Sequence, residues 1–420
     1  TGDLWVVGSK ILRLRFAGFD ARGAPTWNPT PEIMERPADF PSGGGHELKQ
    51  VLSRPDNKQL WLSGWGEGRA NPVNFFASAG SLLSRFDFDA ASNRLEGQPQ
   101  IRIPLPTDFI TGGQVTRSFD VAGDYVFTAD QFDARVFIYE ALTGALVSTL
   151  TPGPEVGGRS GWVDMGYGVS AIHRRKGEYA VLVEDDGFGK LMLYQWNPAT
   201  AKVPASPKVR IENGALAWDP DETVGSWTVR AVGGAGTGDL AHNLRTPRFA
   251  DAALLEGTRR YEVVAVNAAG SSPPSPAIEL RARSAGEKLP LQPIGSDAKA
   301  AAESAKTLDD DPATFSHTED QKAWIGVSLP RSAWPSRVRL LPRQGLGAWL
   351  CQGQIEACAG DPVKGPWTPL LTVDRNLGDG WQEFAIADQR PWAHLRWRSA
   401  NGHHNVLAEI QVSGQIPISP

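Results

Sequence analysis

The chain has 420 residues, 41% hydrophobic and 21% charged, with a formal net charge of −5. That length predicts two to four domains, and the composition is globular rather than disordered. No basic excess is available to hold phosphate, which excludes nucleic acid as the main partner, and no run of about 18 apolar residues can form a membrane-spanning helix.

Residues 1–200 alternate apolar and polar positions in short runs: "LWVVGSKILRLRF", "KQLWLSGWG", "SLLSRFDFD", "DYVFTAD", "ARVFIYEALTGALVSTL", "YAVLVEDD" and "KLMLYQW". Gly, Asn and Asp separate them. This is the period of β-strands with turn residues between them, and no helical period competes. A loose repeat runs through the segment. A strand with an aromatic leads to a polar turn, and a second strand ends in an aromatic followed by Asp, Glu or Asn: "LLSRFDFDAASNRL", "RVFIYEALTGAL", "LMLYQWNPATAK". A spacing of about 40 to 50 residues suits the blades of a β-propeller. The segment accounts for about three and a half blades, the first starting mid-blade at "GDLWVVGSK", whereas rings typically need four to eight. An upstream polypeptide is therefore expected to complete the propeller. A compact four-bladed ring and a β-sandwich are the alternatives.

The same half carries carboxylates near strand ends. Asp130 and Asp133 lie in "TADQFDAR", Asp164 in "GWVDMGYG", and Glu184, Asp185 and Asp186 in "VEDDGFGK"; His173 lies in "SAIHRRKGEY". Paired carboxylates can do acid–base work or hold a metal. Asp and Asn are also the ordinary residues of blade turns. No GxSxG, HExxH or P-loop motif is present, and no catalytic residue is assigned.

After the linker "NPATAKVPASPKV", residues 204–284 read "GALAWDPDE", "GSWTVRAVGG" and "RRYEVVAVNAAGSSPPSPAIELRA". With Trp218 early, Tyr261 opening "YEVVAVN" and the turn "NAAGSSPPSP", this segment resembles a fibronectin type III module. Strand alternation puts Tyr261, Val263 and Ala265 on one face. The resemblance implies a β-sandwich acting as a spacer or interaction platform. The glycines of "VGGAGTGDL" fall inside it, not in a nucleotide loop.

A second linker, "RSAGEKLPLQP", leads into residues 290–420. Here "KTLDDDPATFSH", "AWIGVSLP", "RVRLLPRQ", "WTPLLTV", "GWQEFAI" and "WAHLRWRSANGHHNVLAEIQVSG" follow in order. Together they resemble the discoidin, or coagulation-factor C-type, galactose-binding-like family. The resemblance implies a jelly-roll β-sandwich with ligand loops at one end. The whole chain thus reads as all-β: a partial or small β-propeller, a fibronectin type III β-sandwich and a galactose-binding-like jelly roll.

The acidic turn suits a hard cation, since calcium takes about six to eight oxygens. Asp309 and Asp311 can point inward with Asp310 pointing away, Pro312 stiffens the turn, and Thr314 adds an oxygen. The resemblance adds backbone oxygens of Lys306 and Ala408, and the carboxylate of Glu409 in "NVLAEIQV". Relatives carry glycine where this chain has Asp310. If that position needs a positive φ, Asp tolerates it better than most residues. A structural calcium (or sodium) is expected; a solvated acidic turn is the alternative.

Sugar sites pair a planar apolar face with side chains that hydrogen-bond hydroxyls. The candidates are His317, Arg343, Trp349, His403 and His404. Arg343 aligns with an arginine of sugar-binding members, but the asparagine that commonly follows is replaced by Gln344 and Gly345. Trp349 as a core residue and the histidines as plain loop residues are the alternatives. Cys351 and Cys358 are the only two cysteines. A disulfide between them would close a short loop worth roughly 2–3 kcal/mol and imply an oxidising compartment; two reduced thiols are the alternative.

The reading is a secreted protein, extracellular or periplasmic, that binds a glycan or a cell or matrix surface. The alternatives are the C-terminal part of a polysaccharide lyase or hydrolase working at the propeller, and a structural or assembly protein.

Overall fold

The computed structural model of the chain describes residues 2–7, 11–34, 50–53, 59–65, 81–89, 91–95, 100–104, 118–129, 135–151, 166–185, 189–233, 237–318, 323–350, 353–373, 377–399 and 405–416. Among these the chain is β-structure throughout, apart from the eight-residue helix Ala298–Ala305 and short 3-10 turns. It divides into two compact units at Val203/Pro204, with Asn267–Gly270 counted in the first.

Among the described residues of the first unit, four antiparallel sheets follow one another, besides the two-stranded hairpin Phe16–Phe19/Pro25–Trp27. Leu4–Val7, Ile11–Leu14 and Glu32–Met34 make the first sheet. Gln50–Ser53, Gln59–Trp65, Ser81–Asp89 and Ile101–Pro104, with Arg94–Leu95 beside Ser81–Asp89, make the second. Phe119–Ala122, Tyr125–Ala129, Val136–Glu140 and Leu146–Leu150 make the third, and Gly166–His173, Tyr179–Asp185 and Lys190–Trp196 the fourth. In the last two sheets each strand pairs with the next in the chain, a meander that tight turns permit. The opening strands of successive sheets lie side by side: Leu4–Val7 with Gln50–Ser53, Gln50–Ser53 with Phe119–Ala122, and Phe119–Ala122 with Gly166–His173.

Aromatic residues fill the space between these sheets. Trp5 meets Phe88 edge-on at 5.5 Å, and Tyr125 meets Tyr179 at 5.5 Å and Trp196 at 4.7 Å. Arg13 is buried between Trp5 and Phe88 and donates from Nε to Asp3 Oδ2 at 2.8 Å, which balances its charge. Gly123 turns the Phe119–Ala122/Tyr125–Ala129 hairpin at φ +53°, and a Cβ there would stand 2.3 Å from the Tyr179 hydroxyl. The turn and its packing both require glycine.

Residues 204–284 form two small sheets. One holds Arg210–Glu212, Ala215–Ala217 and Arg248–Phe249; the other holds Gly238–Leu244, Ser226–Ala231, Thr258–Asn267, Gly270–Ser271 and Ile278–Arg281. Tyr261, Val263 and Ala265 point into the core with Trp218, Trp227 and Leu216, as the alternation predicts. Val264 and Val266 on the opposite face are buried too.

The C-terminal segment packs eight strands in two antiparallel layers. The long strand Ile325–Leu341 belongs to both: its first part pairs with Gln292–Gly295 and Trp392–Arg398, its second with Glu409–Gln415 and Gln382–Ala385. It changes layer where the register shifts, between Ser328 and Ala333, with Ser332 at φ +53°. Bulges bend strands in this way. Leu340, Ile355, Phe384, Leu395, Trp397, Leu407 and Val412 fill the core between the layers.

The two modules of this unit are docked against one another, not joined as beads with a spacer. Arg283 Nη1 donates to the carbonyls of Pro335 (2.9 Å), Ile386 (3.3 Å) and Asp388 (2.7 Å). Arg337 donates to Leu255 O, and Ala385 N–H to Ala252 O at 2.9 Å. Gly214 sits so close that a Cβ would stand 2.0 Å from Ala387 O.

Candidate functional site

The acidic turn follows the helix Ala298–Ala305. Asp297 caps that helix by accepting from Ala300 N–H at 2.8 Å, a standard use of Asp at this position. At its far end, Glu303 accepts from Lys306 Nζ (2.7 Å) and from His317 N–H (2.7 Å), which folds the turn back on the helix. The turn is then sewn to the chain's last strand. Ile410 N–H donates to Thr307 O (3.0 Å), Ser316 N–H to Leu407 O (2.9 Å), and Ser316 Oγ to Asn405 O (2.7 Å). Segments about ninety residues apart thus meet.

At the centre of the turn is a knot of oxygens. Thr314 Oγ1 lies 3.2 Å from Lys306 O, 3.0 and 2.8 Å from the two carboxylate oxygens of Asp309, and 3.0 Å from Asp311 O. A hydroxyl has one proton and can satisfy one of these acceptors well. The rest are oxygen–oxygen approaches of the length seen around a cation bound at about 2.3–2.6 Å.

Glu409 closes the cluster from the last strand. It is only 2% exposed, and its Oε1 is buried without a hydrogen-bond partner. Burial first, then the neighbouring Asp309 and Asp310 charges, pushes its carboxyl up to about 7. Asp309 is held below the ordinary carboxylate range by the Asp311 N–H and the Thr314 hydroxyl. Ala408, the other residue expected from this segment, is buried beside it and donates its N–H to Leu341 O at 2.9 Å. A knot of oxygens beside a buried, unpartnered carboxylate oxygen fits a hard cation. Among the described residues no three His, Cys, Asp or Glu side chains converge on their own, so this cluster depends on backbone and hydroxyl oxygens.

Two details differ from the sequence reading or sharpen it. Asp311 offers its backbone oxygen to the cluster, while its carboxylate accepts from Ala313 N–H at 3.0 Å. An Asp ahead of a turn caps the turn's amides readily, and Asp309 does the same for Asp311 N–H at 3.0 Å. Asp310 stands at φ +57°, the conformation for which glycine is the default. Its carboxylate points outward, 3.7 Å from Lys288 Nζ.

The ligand candidates separate. Arg343 follows the end of the long strand, and its guanidinium lies 3.8 Å from the centre of the Phe315 ring, next to the oxygen cluster in sequence. Both are half-buried, and His317 two residues on is exposed. Trp349 is 8% exposed and packs in the sandwich core with Leu350, which accords with its core alternative. His403 and His404 lie outside the described residues. Phe315 was not singled out from sequence; its only signal was a place in the acidic stretch, two residues before His317. The turn after Arg343 is fixed by Gly345 N–H donating to Asp379 Oδ1 at 2.8 Å.

Cys358 is a free, buried thiol that faces Asp361 O at 3.6 Å, so the expected bridge is not made at this residue; Cys351 lies outside the described residues. A short sequence gap sets loop length but not the direction of the Cβ bonds. In the first unit, Glu184 and His173 are exposed, and the His173 ring stacks on Tyr179 at 4.7 Å. Asp130, Asp133, Asp164 and Asp186 lie outside the described residues, as does the side chain of Asp185.

No protein-family model matches the chain, and no curated protein matches it. Among solved structures, the CBM62 from Clostridium thermocellum Xyl5A is 19% identical, over 30% of this chain and 96% of that one, at a TM-score of 0.27. An F5/8 type C domain from Bacteroides fragilis is 16% identical over 32% and 100% (TM-score 0.26). A fucolectin from striped bass, Morone saxatilis, serum is 13% identical over 46% and 72% (TM-score 0.26).

Proposed function

We propose that the chain is a recognition protein whose C-terminal jelly-roll sandwich binds carbohydrate at a surface formed by Arg343, Phe315 and His317. The observation that carries this is the guanidinium lying 3.8 Å from the Phe315 ring. The ring steadies the guanidinium, whose N–H groups can then donate to hydroxyl or carboxylate oxygens. An exposed imidazole nearby adds a second hydrogen-bonding group. A calcium ion in the Lys306–Thr314/Glu409 cluster is structural: it stiffens the turn that carries Phe315 and His317. Asp309, Thr314, Glu409 and the backbone oxygens of Lys306, Asp311 and Ala408 are its ligands.

The rest of the chain presents this surface. The fibronectin type III module is a rigid support, an assignment backed by the Tyr261 core and the Arg283 contacts. The sheets of the first unit are blades of a partial propeller, backed by their sequential meanders and side-by-side opening strands. Recognition of glycans in this way suits an extracellular or periplasmic protein.

Glycan-array binding of the full chain tests the reading. Arg343→Ala should weaken binding roughly 10- to 100-fold, as loss of a charged hydrogen-bond donor does, with the melting temperature unchanged. Equal binding by Arg343→Ala and the parent chain, or none by the parent across neutral and acidic glycans, refutes it.

A further inference from the structure

The arginines of the C-terminal sandwich whose side chains are described divide by what meets their charge. Arg337 pairs with Glu383, Arg390 with Asp388, and Arg396 and Arg398 with Glu356. Arg339 and Arg343 have no carboxylate within ion-pair reach among the described residues. Each stacks on an aromatic ring instead: Arg339 lies 4.8 Å from the centre of Trp381, and Arg343 3.8 Å from that of Phe315. Stacking alone does not set the two apart, because Arg390 and Arg396 also lie over tryptophan rings and still have their carboxylates.

The strand pattern places Arg339. Its neighbours Val338 and Leu340 are buried between the layers, so alternation sends the Arg339 side chain to the outer face of the sheet. Gln411 faces it from the last strand and accepts from its Nη1 at 3.1 Å. Glu383 faces it from the other side, but the Glu383 carboxylate is taken by Arg337 at 2.8 Å. Trp381 stands just ahead of the strand Gln382–Ala385 and supplies the ring. Arg339, Trp381 and Gln411 are all partly exposed.

Partial burial strips water from a guanidinium, and a ring and a neutral amide replace only part of what is lost. A guanidinium also has five N–H groups, and a single one of Arg339's is engaged among the described residues. The remainder form a planar fork that fits two oxygens of a carboxylate or sulfate. Arg339 and Arg343 are four positions apart in the chain, so their Cα atoms are separated by at most about 14 Å. One short stretch of glycan spans that. A neutral sugar would desolvate both cations without supplying a counter-charge, whereas an acidic one supplies it.

We propose that Arg339, with Trp381 and Gln411, is a second contact site for the glycan assigned to Arg343, Phe315 and His317, and that this glycan is anionic, presenting a carboxylate or sulfate to Arg339. The inference rests on the carbohydrate reading of the sandwich and adds to it both a site and a ligand class.

Binding of the full chain to two matched pairs of probes tests it: polygalacturonate with its methyl ester, and dextran sulfate with dextran. At least one charged probe should bind ten times more tightly than its neutral partner, and whichever pair shows this identifies the anion as carboxylate or sulfate. Arg339→Gln should weaken binding of that probe roughly 10- to 100-fold and leave the circular dichroism unchanged. Arg339→Lys should recover part of the loss, since it keeps the charge without the fork. Lys364→Gln removes the same charge from a side chain that stands 82% in water, and should change binding less than twofold. Equal losses in Arg339→Gln and Lys364→Gln would reduce the effect to overall charge and overturn the site. Neutral probes that bind as tightly as their charged partners, or a loss with Arg343→Ala but none with Arg339→Gln, would overturn the proposal and leave the carbohydrate reading standing. No binding to any of the four, with none across a glycan array, would overturn both.

Discussion

Replacing Glu409 with Gln tests the ion cluster, because its effect should change sign with calcium. Without metal, Glu409 is a buried carboxyl facing Asp309, and its folded value is raised from 4.5 to about 7. A raised acid binds its proton more tightly in the folded state. Stability of the metal-free protein is therefore lost as pH rises from about 4.5 to about 7, and stays lower above that. A shift of that size corresponds to at most about 3 kcal/mol at pH 8, since solvent screening takes part of it. Gln keeps the shape and removes the charge. In EDTA at pH 8, Glu409→Gln should raise the melting temperature of the second unit, by up to roughly 6–12 °C for a domain of this size. At pH 5 in EDTA the difference should shrink towards zero.

With calcium the order reverses. The parent chain gains about 2.7 kcal/mol when calcium stands at 100 times its dissociation constant, and binding drives the proton off Glu409. Glu409→Gln has one charged ligand fewer and should gain less. Differential scanning fluorimetry at two pH values, in EDTA and in calcium, reads all four states. If Glu409→Gln lowers the melting temperature equally in EDTA and in calcium, Glu409 is an ordinary packing residue. If EDTA leaves the parent unchanged at pH 8, no cation is held.

Two other substitutions probe the scaffold. Asp310→Gly should raise the melting temperature by one to three degrees, because glycine relieves about 0.5–1 kcal/mol of left-handed backbone strain at φ +57°. The ion pair lost with Lys288 is long and exposed, so it offsets little; a fall in melting temperature would refute the strain argument. Arg283→Met keeps the aliphatic stem but leaves three carbonyls without their donor, at a cost of about 2–4 kcal/mol. Calorimetry should show the joint transition of the second unit falling or splitting in two, and an unchanged single transition would mean that the modules are not coupled through Arg283.

What the sequence made legible was governed by local rules. Alternation in "YEVVAVN" placed Tyr261, Val263 and Ala265 in the core, because a strand has only two faces and one must be covered. The doubt over Asp310 came from the resemblance, whose members carry glycine there, and the residue does stand at φ +57°. Contacts that depend on docking were not legible. Phe315 reads like any core aromatic until Arg343 is placed over it, and nothing local to either residue specifies that encounter. Arg283 sits in a linker-like run, yet its guanidinium enters the next module and ends up desolvated, with its pKa lowered by that burial. Cys358 marks a third limit. Residue type and spacing suggested a disulfide, but the Cys358 thiol faces Asp361. Spacing along a chain identifies which groups can meet, and backbone direction at each residue selects among them. The sites that remain open to sequence reading are therefore those, like the Lys306–Thr314 turn, whose partners lie within one turn of chain. Glu409, almost a hundred residues on, was reached only through the resemblance, and its burial beside Ile410 and Val412 is what the fold adds.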